Sequence, residues 1–181
     1  MKKILVPLAD GFEEIEAVTI IDVLRRAGFE VTVAGLHEGA CRGSRGISLL
    51  AEKLISSIKP EDFDMIVLPG GQPGVDHLRK DARVLEAVRS MQKQGKIIGA
   101  ICAAPLVLRD AGLAAGVKLT SHPSVEAELS ASDYQKTRVV AEGKLITSRG
   151  PGTAMEFALK LVEILAGKEK AEELSKAMVV R

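Results

Sequence analysis

Two hydrophobic periods alternate along this chain. Lys3 to Leu8 is a β-branched and aliphatic run, closed by Asp10-Gly11. From Glu13 to Ala27 the apolar residues Ile15, Val18, Ile21, Val23 and Leu24 recur at near-helical spacing, with Gly28 as a stop. Phe29 to Leu36 reads as a second strand. Phe63 to Leu68 reads as a third, continuous in the manner of strands buried on both faces of a parallel sheet. Val84 to Gln94 predicts a helix ending at Gly95. Lys96 to Ile101 predicts the next strand, and an alanine-rich helical segment runs on to Ala111. Val117 to Thr120, Arg138 to Ala141 and Lys144 to Ser148 predict short strands, the last two joined at Glu142-Gly143. Thr153 to Leu165 is an amphipathic helix, and Lys170 to Lys176 a short charged one. Strand–helix alternation of this kind implies right-handed crossovers and an α/β sandwich, a largely parallel sheet with helices on both faces. No repeat or linker interrupts it, so residues 1–181 are expected to form a single domain.

Composition narrows the function classes. Hydrophobic residues make up 46% and charged residues 27%, as in an ordinary globular domain. Lys plus Arg number 25 against 24 for Asp plus Glu, a net charge of +1, and aromatic residues are 3%. Nothing there provides an electrostatic footprint or stacking platform for nucleic acid, or a basic surface for membranes. The apolar run near the N-terminus is too short for a signal-peptide core or a membrane span. The two cysteines, Cys41 and Cys102, form no CxxC pair, which points to a cytoplasmic, reducing location with free thiols. Cys41, between Ala40 and Arg42, is expected as an exposed thiol in a polar loop.

Open α/β sheets collect ligands at the carboxyl ends of their strands. Those ends hold Ala9 to Glu16, then Pro69-Gly70-Gly71, then Cys102. Gly99-Ala100-Ile101-Cys102-Ala103-Ala104-Pro105 has the small neighbours that a nucleophile elbow needs. Its place before a helix predicts a lowered thiol pKa. Backbone amides of Gly70-Gly71 and Ala103 would face charge developing on a substrate oxygen. Asp10, Glu13 and Glu14 read as solvated helix-start charge. Glu16, beside Ile15 and Ala17, is expected to be buried, with a raised pKa suited to proton transfer. His122, in Thr120-Ser121-His122-Pro123, is a candidate acid/base partner, whereas His37 and His77 earn no role. No metal-ligand spacing, GxGxxG or Walker loop is present, so neither metal nor cofactor is expected.

These blocks carry a resemblance. Glu13-Glu14-Ile15-Glu16-Ala17-Val18, Val67-Leu68-Pro69-Gly70-Gly71, Ala100-Ile101-Cys102-Ala103-Ala104-Pro105, Thr120-Ser121-His122-Pro123 and Thr147-Ser148-Arg149-Gly150-Pro151-Gly152-Thr153 are ordered and spaced as in the ThiJ/PfpI superfamily. Within it the sequence resembles the subgroup of the parkinsonism-associated protein deglycase over nearly the whole chain. The resemblance implies a flavodoxin-like three-layer sandwich and a homodimer with the nucleophile near its interface. It implies Cys102 as nucleophile and oxidisable thiol, Glu16 as its carboxyl partner, and Gly71 and Ala103 as amide donors. His122 and Arg45 match residues near the pocket, Arg45 also near the dimer contact. Ala103 stands where the protease branch has a His, which argues against peptidase or amidase activity. Gly43 stands where the subgroup often has a second cysteine. The implied activity is a cysteine-dependent glyoxalase or deglycase acting on methylglyoxal, glyoxal or early glycation adducts. The alternative is a redox-sensing chaperone whose Cys102 becomes a sulfinate.

Overall fold

The computed structural model describes residues 1–180. The chain runs through β1 (Lys3–Leu8), α1 (Glu14–Arg26), β2 (Glu30–Gly35), the short strands β3 (Ala40–Arg42), β4 (Ser48–Leu50) and β5 (Lys53–Leu54), then β6 (Met65–Leu68). Helices α2 (Gly74–Lys80) and α3 (Ala82–Lys93) lead to β7 (Ile97–Ile101) and α4 (Pro105–Asp110). The remainder comprises β8 (Lys118–Leu119), β9 (Asp133–Tyr134), β10 (Val139–Glu142), β11 (Leu145–Ser148), α5 (Ala154–Ala166) and α6 (Lys168–Ala177).

Seven strands form one sheet in the order β10-β11-β7-β6-β1-β2-β5. All its pairings are parallel except β10 with β11 at the edge. The period of two along each strand sends side chains to opposite faces. In β1, Ile4 and Val6 enter one core with Ile20 and Leu24 of α1 and Phe157 and Leu161 of α5. Leu5 enters the other, with Val84, Val88 and Met91 of α3. Met65 and Val67 of β6 join the first core, Ile66 and Leu68 the second. Two cores explain why β6 reads as an unbroken apolar run: neither face is solvated.

Three expectations need correction. Cys41 is not an exposed loop thiol. It is the middle residue of β3, 0% exposed, and packs with Leu8, Phe12, Ala17 and Val33. Ala40-Cys41-Arg42 alternates out, in, out, a strand pattern too short to stand out from a polar loop. Ile15 and Val18 do not face the α1 core; they are 58% and 44% exposed. Glu14 is not solvated helix-start charge either. It is buried, and its carboxylate accepts from Arg45 N at 2.5 Å and Ser44 Oγ at 3.2 Å. These bonds clasp the β3–β4 hairpin to the start of α1.

Candidate functional site

From β1 the sheet order runs outward to β2 and β5 on one side, and to β6, β7 and β11 on the other. The carboxyl ends of β1 and β6 therefore flank a topological switch point, where side loops part and leave a crevice. The segments that follow β1, β6 and β7 bring Glu16, Gly70-Gly71 and Cys102 to this edge.

Cys102 follows β7 directly with φ 65°, a left-handed conformation that costs a non-glycine residue energy. The elbow is pinned on both sides of the residue. Cys102 N donates to the Ser148 carbonyl at 3.0 Å, and His122 N donates to the Cys102 carbonyl at 2.8 Å. Gly70 must be a glycine, because a Cβ there would lie 2.5 Å from Cys102 Cβ and 2.6 Å from Glu16 Oε2. Gly71 has φ 98°, turning its amide toward the sulfur.

Glu16 is 0% exposed. Glu13 caps α1 by accepting from Glu16 N at 2.7 Å, which fixes the first turn. Glu16 Oε2 accepts from Gly70 N at 2.8 Å, and Oε1 has no hydrogen-bond partner among the described residues. Burial, the largest cause, raises the carboxyl to about 7; the Cys102 thiol and the Gly70 amide pull the other way. The Cys102 thiol moves opposite to the expectation of a lowered pKa. Burial and the facing Glu16 charge push it up to about 12, against smaller help from the Ala103 and Gly71 amides. The helix expected to stabilise a thiolate begins only at Pro105 and spans six residues. Cys102, half-buried, and Glu16, fully buried, thus face each other in a site that resists holding two negative charges. One proton shared by the pair leaves a single charge, which the two amides can stabilise when it sits on sulfur.

Of the residues expected at the site, Glu16, Gly71, Cys102 and Ala103 converge. His122 joins through its backbone, while its ring Nδ1 engages Ser124 Oγ at 2.7 Å. Arg45 stands apart from the thiol contacts: its amide binds Glu14 and its side chain is exposed, with no ion pair among the described residues. Gly70 was legible only as part of a glycine pair, yet its amide is the one that anchors Glu16. Ser148 was missed as an anchor of the elbow, because a backbone carbonyl leaves no mark in side-chain chemistry. A 430 Å³ cavity lined by His122, Arg138, Arg149 and Gly150 lies beside His122; neither it nor the two larger cavities is lined by Glu16, Gly71, Cys102 or Ala103.

A strained cysteine, a buried carboxyl and two amides thus meet at the switch point of the largely parallel sheet of an α/β protein. The chain belongs to the DJ-1/PfpI family, whose model matches residues 2–164. It is 47% identical to Protein dj-1beta of Drosophila melanogaster over 99% of this chain and 97% of that one. The crystal structure of that protein superposes with a TM-score of 0.94, covering 98% of this chain and 97% of the other. It is 38% identical to a Caenorhabditis elegans protein named glutathione-independent glyoxalase DJR-1.2, over 97% and 94% of the two chains. The structure of oxidized DJ-1 from Toxoplasma gondii matches with a TM-score of 0.93 at 42% identity, covering 99% of this chain and 98% of that one. Among the described residues no helix is long and apolar enough to cross a membrane.

Proposed function

We propose that this protein is a glutathione-independent glyoxalase and deglycase, with Cys102 as nucleophile and Glu16 as proton carrier. The observation that carries the reading is the pairing of the Cys102 thiol with the buried Glu16 carboxyl, bordered by the Gly71 and Ala103 amides. The named activity of the Caenorhabditis elegans relative supports it. Glu16 takes the thiol proton, and the sulfur adds to the aldehyde carbon of methylglyoxal. The alkoxide that forms lies toward the amides and takes the proton back from Glu16, giving a hemithioacetal. Glu16 then removes the remaining hydrogen of that carbon and returns a proton to the neighbouring ketone carbon, while the proton of the hemithioacetal hydroxyl passes to the ketone oxygen. The aldehyde carbon is thereby oxidised to a thioester while the ketone is reduced to an alcohol, so no external redox partner is needed. Water cleaves the thioester, releasing lactate and restoring the thiol. Early glycation adducts enter the same sequence once the Cys102 sulfur displaces the protein amine or thiol from the hemiaminal or hemithioacetal carbon, the displaced group leaving with the proton that Glu16 took from the thiol. His122 serves beside the sulfur through its backbone, and Arg45, exposed next to the Glu14 clasp, serves at the dimer contact. Incubation with methylglyoxal or glyoxal in glutathione-free buffer tests the reading: lactate or glycolate must accumulate, and consumption without hydroxy-acid formation would refute it.

A second reading has its own support. The same amides and carboxyl suit the oxygens of a Cys102 sulfinate, and a related structure is described as oxidized. Mild peroxide should then add two oxygens at Cys102, and client protection should vanish in Cys102→Ser.

The assembly proposed is a homodimer in the cytoplasm. Ile15 and Val18 of α1 and Ile47 and Leu50 of the hairpin are exposed, and Glu14 clasps the two elements together. Ile47→Asp should shift sedimentation from dimer to monomer; an unchanged dimer would exclude this face.

A further inference from the structure

Away from Cys102, three side chains of ligand character meet. Asp10 follows β1, His37 follows β2, and Cys41 is the middle of β3. One ligand atom from each lies within 4.8 Å of the others. Sequence spacing could not show this, because the three residues come from three different segments. The ends of β1 and β2 are neighbours, with Leu8 opposite Gly35. The return through β3 then crosses them: Gly11 N donates to the Arg42 carbonyl at 2.7 Å.

Hydrogen bonds orient two of the donors, Asp10 and His37. Asp10 Oδ1 accepts from Arg42 N at 2.8 Å, and the Asp10 carbonyl accepts from His77 Nδ1 at 2.9 Å. His37 Nδ1 lies 2.9 Å from the Glu38 carbonyl, which can only accept. The hydrogen is therefore on Nδ1, and the lone pair of the neutral ring is on Nε2. Nε2 faces Asp10 Oδ2 at 3.2 Å. Two acceptors in that position call for a cation: a second ring proton or a metal ion. An Nδ1–H donated to a backbone carbonyl is the outer contact that metal-bound imidazoles make. Among the described residues, the buried Cys41 makes one hydrogen-bond contact through its sulfur, the long 3.7 Å one to the Leu8 carbonyl.

We propose that Asp10 Oδ2, His37 Nε2 and Cys41 Sγ bind one divalent cation of the zinc class, with the fourth position open to solvent. One thiolate, one imidazole and one carboxylate suit a borderline-soft ion and not magnesium or calcium. Tetrahedral ligands around zinc stand roughly 3.3–3.8 Å apart. With His37 Nε2 and Asp10 Oδ2 already 3.2 Å apart and all three atoms within 4.8 Å, closing takes at most about 1–1.5 Å, which χ rotation supplies at His37 and Asp10; their side chains are 47% and 50% exposed. Binding replaces the Cys41 thiol proton, and the second ring proton where His37 carries one, with metal–ligand bonds and releases both, with no change of oxidation state. The ion would brace β3 against the ends of β1 and β2, and so steady the loop that leads into Glu16. The proposal does not depend on the reaction assigned to Cys102.

Cys102→Ala protein leaves Cys41 as the single thiol and is the material for the test. Titration with Co²⁺ should saturate at one ion per chain with thiolate-to-cobalt charge-transfer absorption, and release about one to two protons according to the charge on His37. Zn²⁺ should displace it stoichiometrically. His37→Ala and Asp10→Asn, made at exposed side chains in this background, should each weaken binding at least about tenfold. Cys41→Ser should abolish the charge-transfer band; should that variant not fold, the two exposed variants decide. Absence of the band in the Cys102→Ala protein, or equal affinity in both exposed variants, would overturn the proposal in favour of a simple His37–Asp10 ion pair.

Discussion

Replacing Glu16 by Gln keeps the shape of the side chain and removes its charge, which makes the cost of the buried carboxylate measurable. Its pKa rises from 4.5 to about 7 on folding, chiefly through burial. The folded chain therefore holds this proton more tightly than the unfolded chain. The stability this contributes is complete below pH 4.5 and is lost as pH rises through about 7. A rise of that size corresponds to about 3 kcal/mol between the two limits. Gln does not titrate, so its contribution stays flat. Denaturant unfolding of both proteins at about pH 5 and about pH 8 gives the comparison, because any fixed difference between amide and carboxyl cancels between the two conditions. The Gln variant should gain about 2 kcal/mol on wild type over that interval. Cys102 does not interfere: its thiol is raised from 9.0, so it begins to titrate only above the window. A gap that stays constant, or that moves in favour of wild type as pH rises, would refute a carboxyl held protonated by burial.

Gly70→Ala places a methyl 2.5 Å from Cys102 Cβ and 2.6 Å from Glu16 Oε2. It should cost about 1–3 kcal/mol in unfolding experiments and reduce hydroxy-acid formation more than tenfold, roughly, by parting the pair. Glu14→Ala strips the acceptor from Arg45 N and Ser44 Oγ, which should cost about 2–4 kcal/mol and speed hydrogen exchange in the β3–β4 hairpin. Intact exchange protection at Arg45 and Ile47 would show that the clasp is unimportant.

The site was more legible in the sequence than its electrostatics. Strand ends on a parallel sheet share one edge, so Glu16, Gly70-Gly71 and Cys102 could be brought together from hydrophobic period alone. The rise in the Glu16 pKa followed from its apolar neighbours. The direction for Cys102 did not follow, because it depends on how closely a carboxylate from another element approaches and how little helix lies downstream. Amide dipoles were visible in the pattern; the burial that outweighs them was not. The β3–β4 hairpin escaped notice since three-residue strands carry no usable alternation. Cys41 and Glu14 were misjudged with it, both being buried by contacts that the hairpin creates. Exposed Ile15 and Val18 show the converse: helical period identified an apolar stripe on α1 but not which part of it the core would take.

Hydroxy-acid formation in glutathione-free buffer, compared among wild type, Cys102→Ala and Glu16→Gln, tests the central claim most directly. A nucleophile and proton carrier acting on the same carbon should make both variants at least about 10²-fold slower than wild type, with fold and oligomeric state unchanged. Lactate released from methylglyoxal by Cys102→Ala at the wild-type rate would contradict the account.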